Sequence, residues 1–368
     1  MSEQPPKKWP CADGYLLNHS AGLPPTTSSQ ELQNSLYGPW TAEDGDVWSH
    51  WLDAIYGFRV ELAAILGSTP GLVCPQLSVS AALTQILGSL TPAANRNRLL
   101  ISEKAFPSLG FVFQQLERRG YEVVMVPRAL DTQDANEWRP FLDERVHCVL
   151  ITHVHSNTGE CHDIPSLATA ARDIGAISIV DVAQSIGIRE VDARHWGADF
   201  IIGSCIKWLC GGSGAAFLWV SEERLDECEP IDVGWFSHAD PFEFDIHSFA
   251  YAPDALRFWG GTPSVSPAII AAHSIASLRE VGMASIREQN QVLTELLIAG
   301  LPERAVVSPR TWAHRGGSVV VQLGEKQAGF IKRLREADVK FDVRREGIRL
   351  SPHFYNTKAD IERVLGCQ

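Results

Sequence analysis

The chain has 368 residues, of which 45% are hydrophobic and 21% charged, and a formal net charge of −12 at pH 7. This composition allows a sizeable core and excludes extensive disorder, and the length predicts one large domain plus a smaller one. The acidic balance excludes a nucleic-acid backbone as partner, because such binding rests on Lys and Arg neutralising phosphates, and it disfavours anionic membrane surfaces for the same reason.

The amino-terminal MSEQPPKKWP carries two lysines with no apolar run behind them. No later segment approaches the ~20 apolar residues of a membrane-spanning helix, so a cytoplasmic protein is expected. The Pro/Ser-rich piece from Leu23 to Gln30 reads as a surface loop. From about residue 70 onward, β-branched runs alternate with helical patterns: RLLISE, FVFQQLERRG, EVVMVP, HCVLITHV, IPSLATAARDIG and AISIVDVA. That alternation predicts an α/β domain with a mainly parallel sheet. Two of its strands are apolar almost throughout, as strands covered on both faces should be. The stretch PAIIAAHSIASLREVGMASIREQNQVLTELLIAGL reads as a long helical segment with a glycine at Gly282, leading out of the large domain. GSVVVQLG, QAGFIKRLREA, EGIRLSP and TKADIERVL then predict a small α/β carboxy-terminal domain. The expected division is a large domain over 51–280, a small one over 281–368, and an amino-terminal segment, 1–50, contributing to the small domain and to the mouth of the active site.

The eight cysteines have neither zinc-site spacing nor the density of a disulfide scaffold, and are expected as reduced thiols. Cys161, His162 and Asp163 are sequence neighbours that rarely point at one metal, and the twelve histidines form no HExxH-type pair, so no metal is expected. Two other residues suggest chemistry. Strand AISIV ends in Asp181, where side chains of a parallel sheet line the ligand crevice, although an Asp there also serves as a cap or turn residue. Lys207 follows an apolar strand and precedes a glycine-rich turn in DFIIGSCIKWLCGGSG. A lysine boxed between Ile206 and Trp208 either finds a partner or loses its charge. Such an amine suits Schiff-base chemistry, with a carboxylate keeping a pyridine nitrogen protonated. On the residues alone, a structural Asp–Lys ion pair remains an equal alternative.

The segment running from HVHSNTGECHD through VDVAQ to SCIKWLCGGSG, about residues 150–220, resembles the cofactor core of the class V aminotransferase family of fold-type I pyridoxal-5′-phosphate (PLP) enzymes. VGWFSHADPFEFD and RFWGGTP resemble the kynureninase branch more than the cysteine desulfurases, and GIRLSPHFYNTKADIERV resembles the carboxy-terminal signature of the class. The resemblance implies a fold-type I PLP-dependent transferase fold and a homodimer with shared active sites. It implies Lys207 as the catalytic Schiff-base lysine, Asp181 as partner of the pyridine nitrogen, Gln184 beside the phenolic oxygen and Phe106 stacked on the ring. Leu77 and Ser78 would hold the phosphate at a helix start, the natural place for an anion. Ser204 and Thr158 would add hydroxyls. Trp235 and Thr262 would lie at the phosphate, Thr262 reaching across the dimer. Arg349 would grip the substrate α-carboxylate with its planar fork, and Asn18, His19 and Ser20, in LLNHSAGLPP, would border the substrate.

This chain departs from the kynureninase pattern at Ile206, where that enzyme has a tyrosine, and at Leu109, where it has an aspartate. Ser156 stands where desulfurases place an asparagine. No cysteine lies between Cys228 and Cys367, which sets desulfuration aside. The expected function is therefore PLP-dependent chemistry on an L-amino acid, with kynureninase-like cleavage of the side chain at the β-carbon. Transamination and a non-catalytic scaffold remain as alternatives.

Overall fold

The apolar runs read as strands form the centre of a seven-stranded sheet in the computed structural model, which describes residues 8–42, 46–92 and 95–368. The strands are β1 (Val73–Gln76), β2 (Arg98–Ser102), β3 (Glu122–Val126), β4 (Val146–Thr152), β5 (Ile177–Asp181), β6 (Phe200–Ser204) and β7 (Ala216–Val220), in the order β1-β7-β6-β5-β4-β2-β3. β6, β5, β4, β2 and β3 are mutually parallel, and β7 runs antiparallel to both its neighbours. The sheet is thus mainly parallel, as the βα alternation predicts.

Successive side chains of a strand point to opposite faces, so a strand with no polar residue needs cover on both. One face, with Leu99, Ile101, Leu150, Ile179, Ile202 and Leu218, packs on Leu83 and Ile86 of one helix and Leu109 and Phe113 of another. The other, with Leu100, Val149, Ile151, Val180 and Ile201, packs on Phe58, Leu62, Leu167, Ile275 and Leu278. The helices are α1 (Val47–Leu66), α2 (Val79–Ser89), α3 (Pro107–Glu117), α4 (Ile164–Asp173) and α5 (Val265–Val281). α1 starts on an Asp46 cap that accepts from the Ser49 N–H and ends at Gly67 in the left-handed conformation.

The long helical stretch is two helices, because Gly282 takes φ +97° and separates α5 from α6 (Met283–Gly300). Beyond it lie α7 (Gln327–Glu336), α8 (Lys358–Leu365) and a three-stranded antiparallel sheet, β8 (Val319–Val321), β9 (Asp342–Arg344) and β10 (Gly347–Leu350), with β10 central. Leu293, Leu297, Val319, Val321, Phe330, Leu334, Ile348, Leu350 and Ile361 form a separate core there, and Leu16 joins it from the amino-terminal segment. Tyr15 and Leu17 bridge to Lys340 and Ser351. Among the described residues, no helix is long and apolar enough to cross a membrane.

Candidate active site

The carboxyl ends of β4, β5 and β6 and the start of α2 surround a cavity of about 230 Å³ lined by Ser78, Ser80, Phe106, Thr152, Asp181, Gln184, Ser204 and Lys207 among others. Its position follows from the topology, since strand ends of a parallel sheet leave a crevice and the following loops supply its polar groups. Asp181 closes β5 with Thr152 of β4 and Ile202 of β6 beside it in register. Its Oδ1 accepts from the Ala183 N–H at 2.9 Å. Burial raises the Asp181 carboxyl above its usual pKa, against the opposing effects of that N–H and of Lys207.

Lys207 sits just beyond β6, with Nζ 5.6 Å from the centroid of the Phe106 ring. Burial lowers its pKa from the ordinary 10.5, Asp181 opposes this, and the positive charge of Arg349 adds to it. Among the described residues its amine has no hydrogen-bond or ion-pair partner within reach, so the Asp181–Lys207 pair is not a closed salt bridge. The backbone under it is fixed from the amino-terminal segment: Gly22 N–H donates to Ile206 O at 2.8 Å. A Cβ at Gly22 would lie 2.1 Å from Lys207 O, so only glycine allows this approach.

Gln184 lines the cavity, but its amide is engaged on both sides, donating to His19 O at 2.9 Å and accepting from Trp208 Nε1 at 3.3 Å. Ser78 caps α2, its hydroxyl accepting from Ala81 N at 3.1 Å. Arg349, on β10, is buried and donates from Nη1 to the carbonyl of Ser156, itself a wall of the cavity, at 3.0 Å. Its Nε and Nη2 both pair with Asp342. His19 is buried beside them, with Nε2 2.9 Å from Asp342 Oδ1 and Nδ1 2.5 Å from Ser351 Oγ.

Other expected site residues lie elsewhere in the single chain. Leu77 and Thr262 line a second, larger cavity, about 970 Å³, which shares no lining residue with the Lys207 cavity, although Leu77 directly precedes Ser78. Trp235 packs in an aromatic cluster with Trp48, Phe236, Phe242 and Phe244. Thr158 accepts from Glu160 N at 3.3 Å, and Asn18 is fully buried, tied to Ser351 O and the Tyr355 hydroxyl. Three features went unread in the sequence. Thr152 is buried at the cavity with its hydroxyl unpartnered, Ser80 and Ser108 add hydroxyls, and Asp342 occupies Arg349. A polar residue closing an apolar strand is the one signal that pointed to Thr152. Among the described residues no cluster of His, Cys, Asp or Glu is arranged to hold a metal ion.

The sequence model for "Aminotransferase class-V" matches residues 78–328. The chain belongs to that family. The class-V chain is 32% identical over 322 residues to a kynureninase of Deinococcus radiodurans, covering 83% of this chain and 76% of the relative. It is 28% identical over 324 residues to the uncharacterized aminotransferase YcbU of Bacillus subtilis, covering 87% and 85%. Among solved structures, the cysteine desulfurase of Thermococcus onnurineus NA1 superposes with a TM-score of 0.83 at 22% identity, over 96% of this chain and 92% of that one. A C-DES mutant solved with glycine covalently linked to its PLP cofactor superposes with a TM-score of 0.85 at 18% identity, over 98% of each. At those identities the two structures establish the shared fold-type I architecture and nothing finer.

The class-V cofactor is PLP, and the donor set of the cavity fits it. An amine with a lowered pKa suits the aldehyde, an ionisable carboxyl suits the pyridine nitrogen, and the amino terminus of the eleven-residue α2 suits a phosphate. The Thr152 hydroxyl, unpartnered among the described residues, supplies a further polar group.

Proposed function

We propose that this class-V enzyme acts on the α-amino group of an L-amino acid and cleaves its side chain at the β-carbon, in the manner of a kynureninase. The observation that carries the reading is the Lys207 amine, desolvated, unpaired and facing Asp181 across one small cavity. When bound, PLP supplies an aldehyde for an amine and an electron-withdrawing ring that acidifies the substrate α-carbon.

The protein does the rest. Lys207 holds the cofactor and then moves the proton at the α-carbon. Asp181 keeps a negative charge beside the pyridine nitrogen. Phe106 covers the ring, and Ser78 and the start of α2 hold the phosphate. Arg349 orients the substrate carboxylate, and the buried side chains of Leu109, Val154 and Ala183 give the cavity an apolar wall. Water that attacks a side-chain ketone then breaks the β–γ bond, which from L-kynurenine leaves alanine and anthranilate. Thr262, on a separate apolar cavity with Leu77, fits a role across a homodimer interface rather than in its own chain's site.

Transamination is the second reading. Ile206 and Leu109 favour it, because both replace polar groups of the kynureninase pattern with apolar ones, and Leu109 lines the cavity. The test is the absorption spectrum of wild type and Lys207→Ala, with PLP, before and after a panel of L-amino acids including kynurenine. A band near the visible edge that one amino acid perturbs, altered in the variant, is expected. Alanine release from kynurenine supports cleavage, and a keto acid instead supports transamination. No bound chromophore in wild type would sink both.

A further inference from the structure

The fork of Arg349 already holds a carboxylate. Nε donates to Asp342 Oδ1 at 2.7 Å and Nη2 donates to Oδ2, the two-pronged pairing that a guanidinium makes with a free carboxylate. The sheet builds this pair directly. Arg349 on the central strand β10 stands opposite Asp342 on the edge strand β9 in register, so the two side chains share one face.

The two partners differ in exposure. The Arg349 side chain is 4% exposed, while that of Asp342 is 25% exposed and belongs to a three-residue strand paired on one side only. Asp342 therefore lies on the solvent side of a buried arginine and can leave without dragging the arginine out, giving up both the fork and its contact with His19 Nε2 at 2.9 Å. A place to go is present: Arg344 Nε lies 3.2 Å from Asp342 Oδ2 and its side chain is 53% exposed. A buried cation without a counter-charge is costly, and an internal carboxylate removes that cost when no substrate is bound. An incoming carboxylate then replaces it with no change in the charge around Arg349.

We propose that Asp342 is an exchangeable stand-in for the substrate carboxylate, holding the fork of Arg349 in the ligand-free protein and yielding it to the amino acid. The proposal rests on Arg349 being the carboxylate receptor. It makes Asp342 a specificity residue, since an amine with no carboxylate has nothing with which to displace it.

The probe is propionate, which has the carboxylate but no amine to react with the cofactor, titrated calorimetrically into the PLP-loaded protein. Asp342→Asn is expected to bind propionate about tenfold more tightly than wild type, because the internal competitor has lost its charge. Arg349→Ala is expected to bind it in neither background. Equal or weaker binding by a folded Asp342→Asn would overturn the exchange, showing that Asp342 only positions the arginine. Propionate binding to Arg349→Ala as strong as to wild type would instead reject Arg349 as receptor, whatever Asp342 does. If Asp342→Asn does not fold, the structure of wild type with saturating propionate decides. Asp342 turned toward Arg344 supports the exchange, and Asp342 still forked with Arg349 overturns it.

Discussion

Lys207 is held between opposing influences, and their signs can be separated. Burial and the charge of Arg349 both lower its pKa from 10.5, and Asp181 raises it. Only the neutral amine attacks an aldehyde, so the rate at which the apoprotein captures PLP rises with pH through the lysine pKa. Asp181→Asn removes the anion that retains the proton and is expected to move that midpoint down. Arg349→Ala removes a repelling cation, so it is expected to move the midpoint up. Stopped-flow capture rates across pH test both shifts, and midpoints that stay put in both variants would place Lys207 in water rather than in a desolvated site. Asp181 and Lys207 are legible in the sequence because each ends or follows an apolar run, where a polar residue needs a reason, whereas Ser204 comes from the family resemblance alone. Asp342 is not legible. It lies ahead of the EGIRLSP strand pattern in no apolar run of its own, and only the register between two short strands brings its acid onto Arg349.

The same contrast holds among the elements. β4 and β5 are recognisable as buried strands because they are apolar with almost no alternation, and the structure buries every residue of both. The break between α5 and α6 is foreshadowed by one glycine in a helical pattern that otherwise continues. Its geometry is sharper than the composition suggests: Gly282 has φ +97° and ψ +115°, its N–H donates to Leu278 O, and its carbonyl accepts from Ile286 N, so one residue closes one helix and opens the next. The nearest group to an added Cβ is Ser285 Oγ at 3.6 Å, leaving only the backbone conformation to oppose a side chain. Gly282→Ala is expected to cost about 1–3 kcal/mol. The measurement is the urea midpoint at unchanged slope, and a variant as stable as wild type would mean that the two helices rejoin without loss. The amino-terminal segment is expected to contribute to the small domain, but the residues that pair there, Tyr15 with Lys340 and Leu17 with Ser351, form single bridges too short to leave a periodic pattern.

At the scale of the whole molecule, the proposed homodimer predicts an apolar contact surface on the single chain. Leu77 and Ile231 are 65% and 75% exposed and line the same cavity as Thr262. Monomeric proteins seldom leave large apolar side chains grouped in this way. The proposed homodimer buries this patch in a self-complementary contact, which brings each Thr262 toward the other chain's cofactor site. Ile231→Asp places a charge on that proposed contact surface. Sedimentation velocity is expected to give twice the 40.5 kDa chain mass for wild type and a shift toward one chain mass for the variant. On the proposed arrangement, in which the partner chain completes the site, the separated variant should also lose PLP on dialysis while wild type retains it, although Ile231 does not line the Lys207 cavity. A variant that becomes monomeric yet keeps its cofactor would confine Thr262 to a structural role, and a monomeric wild type would require the apolar patch to serve a different partner.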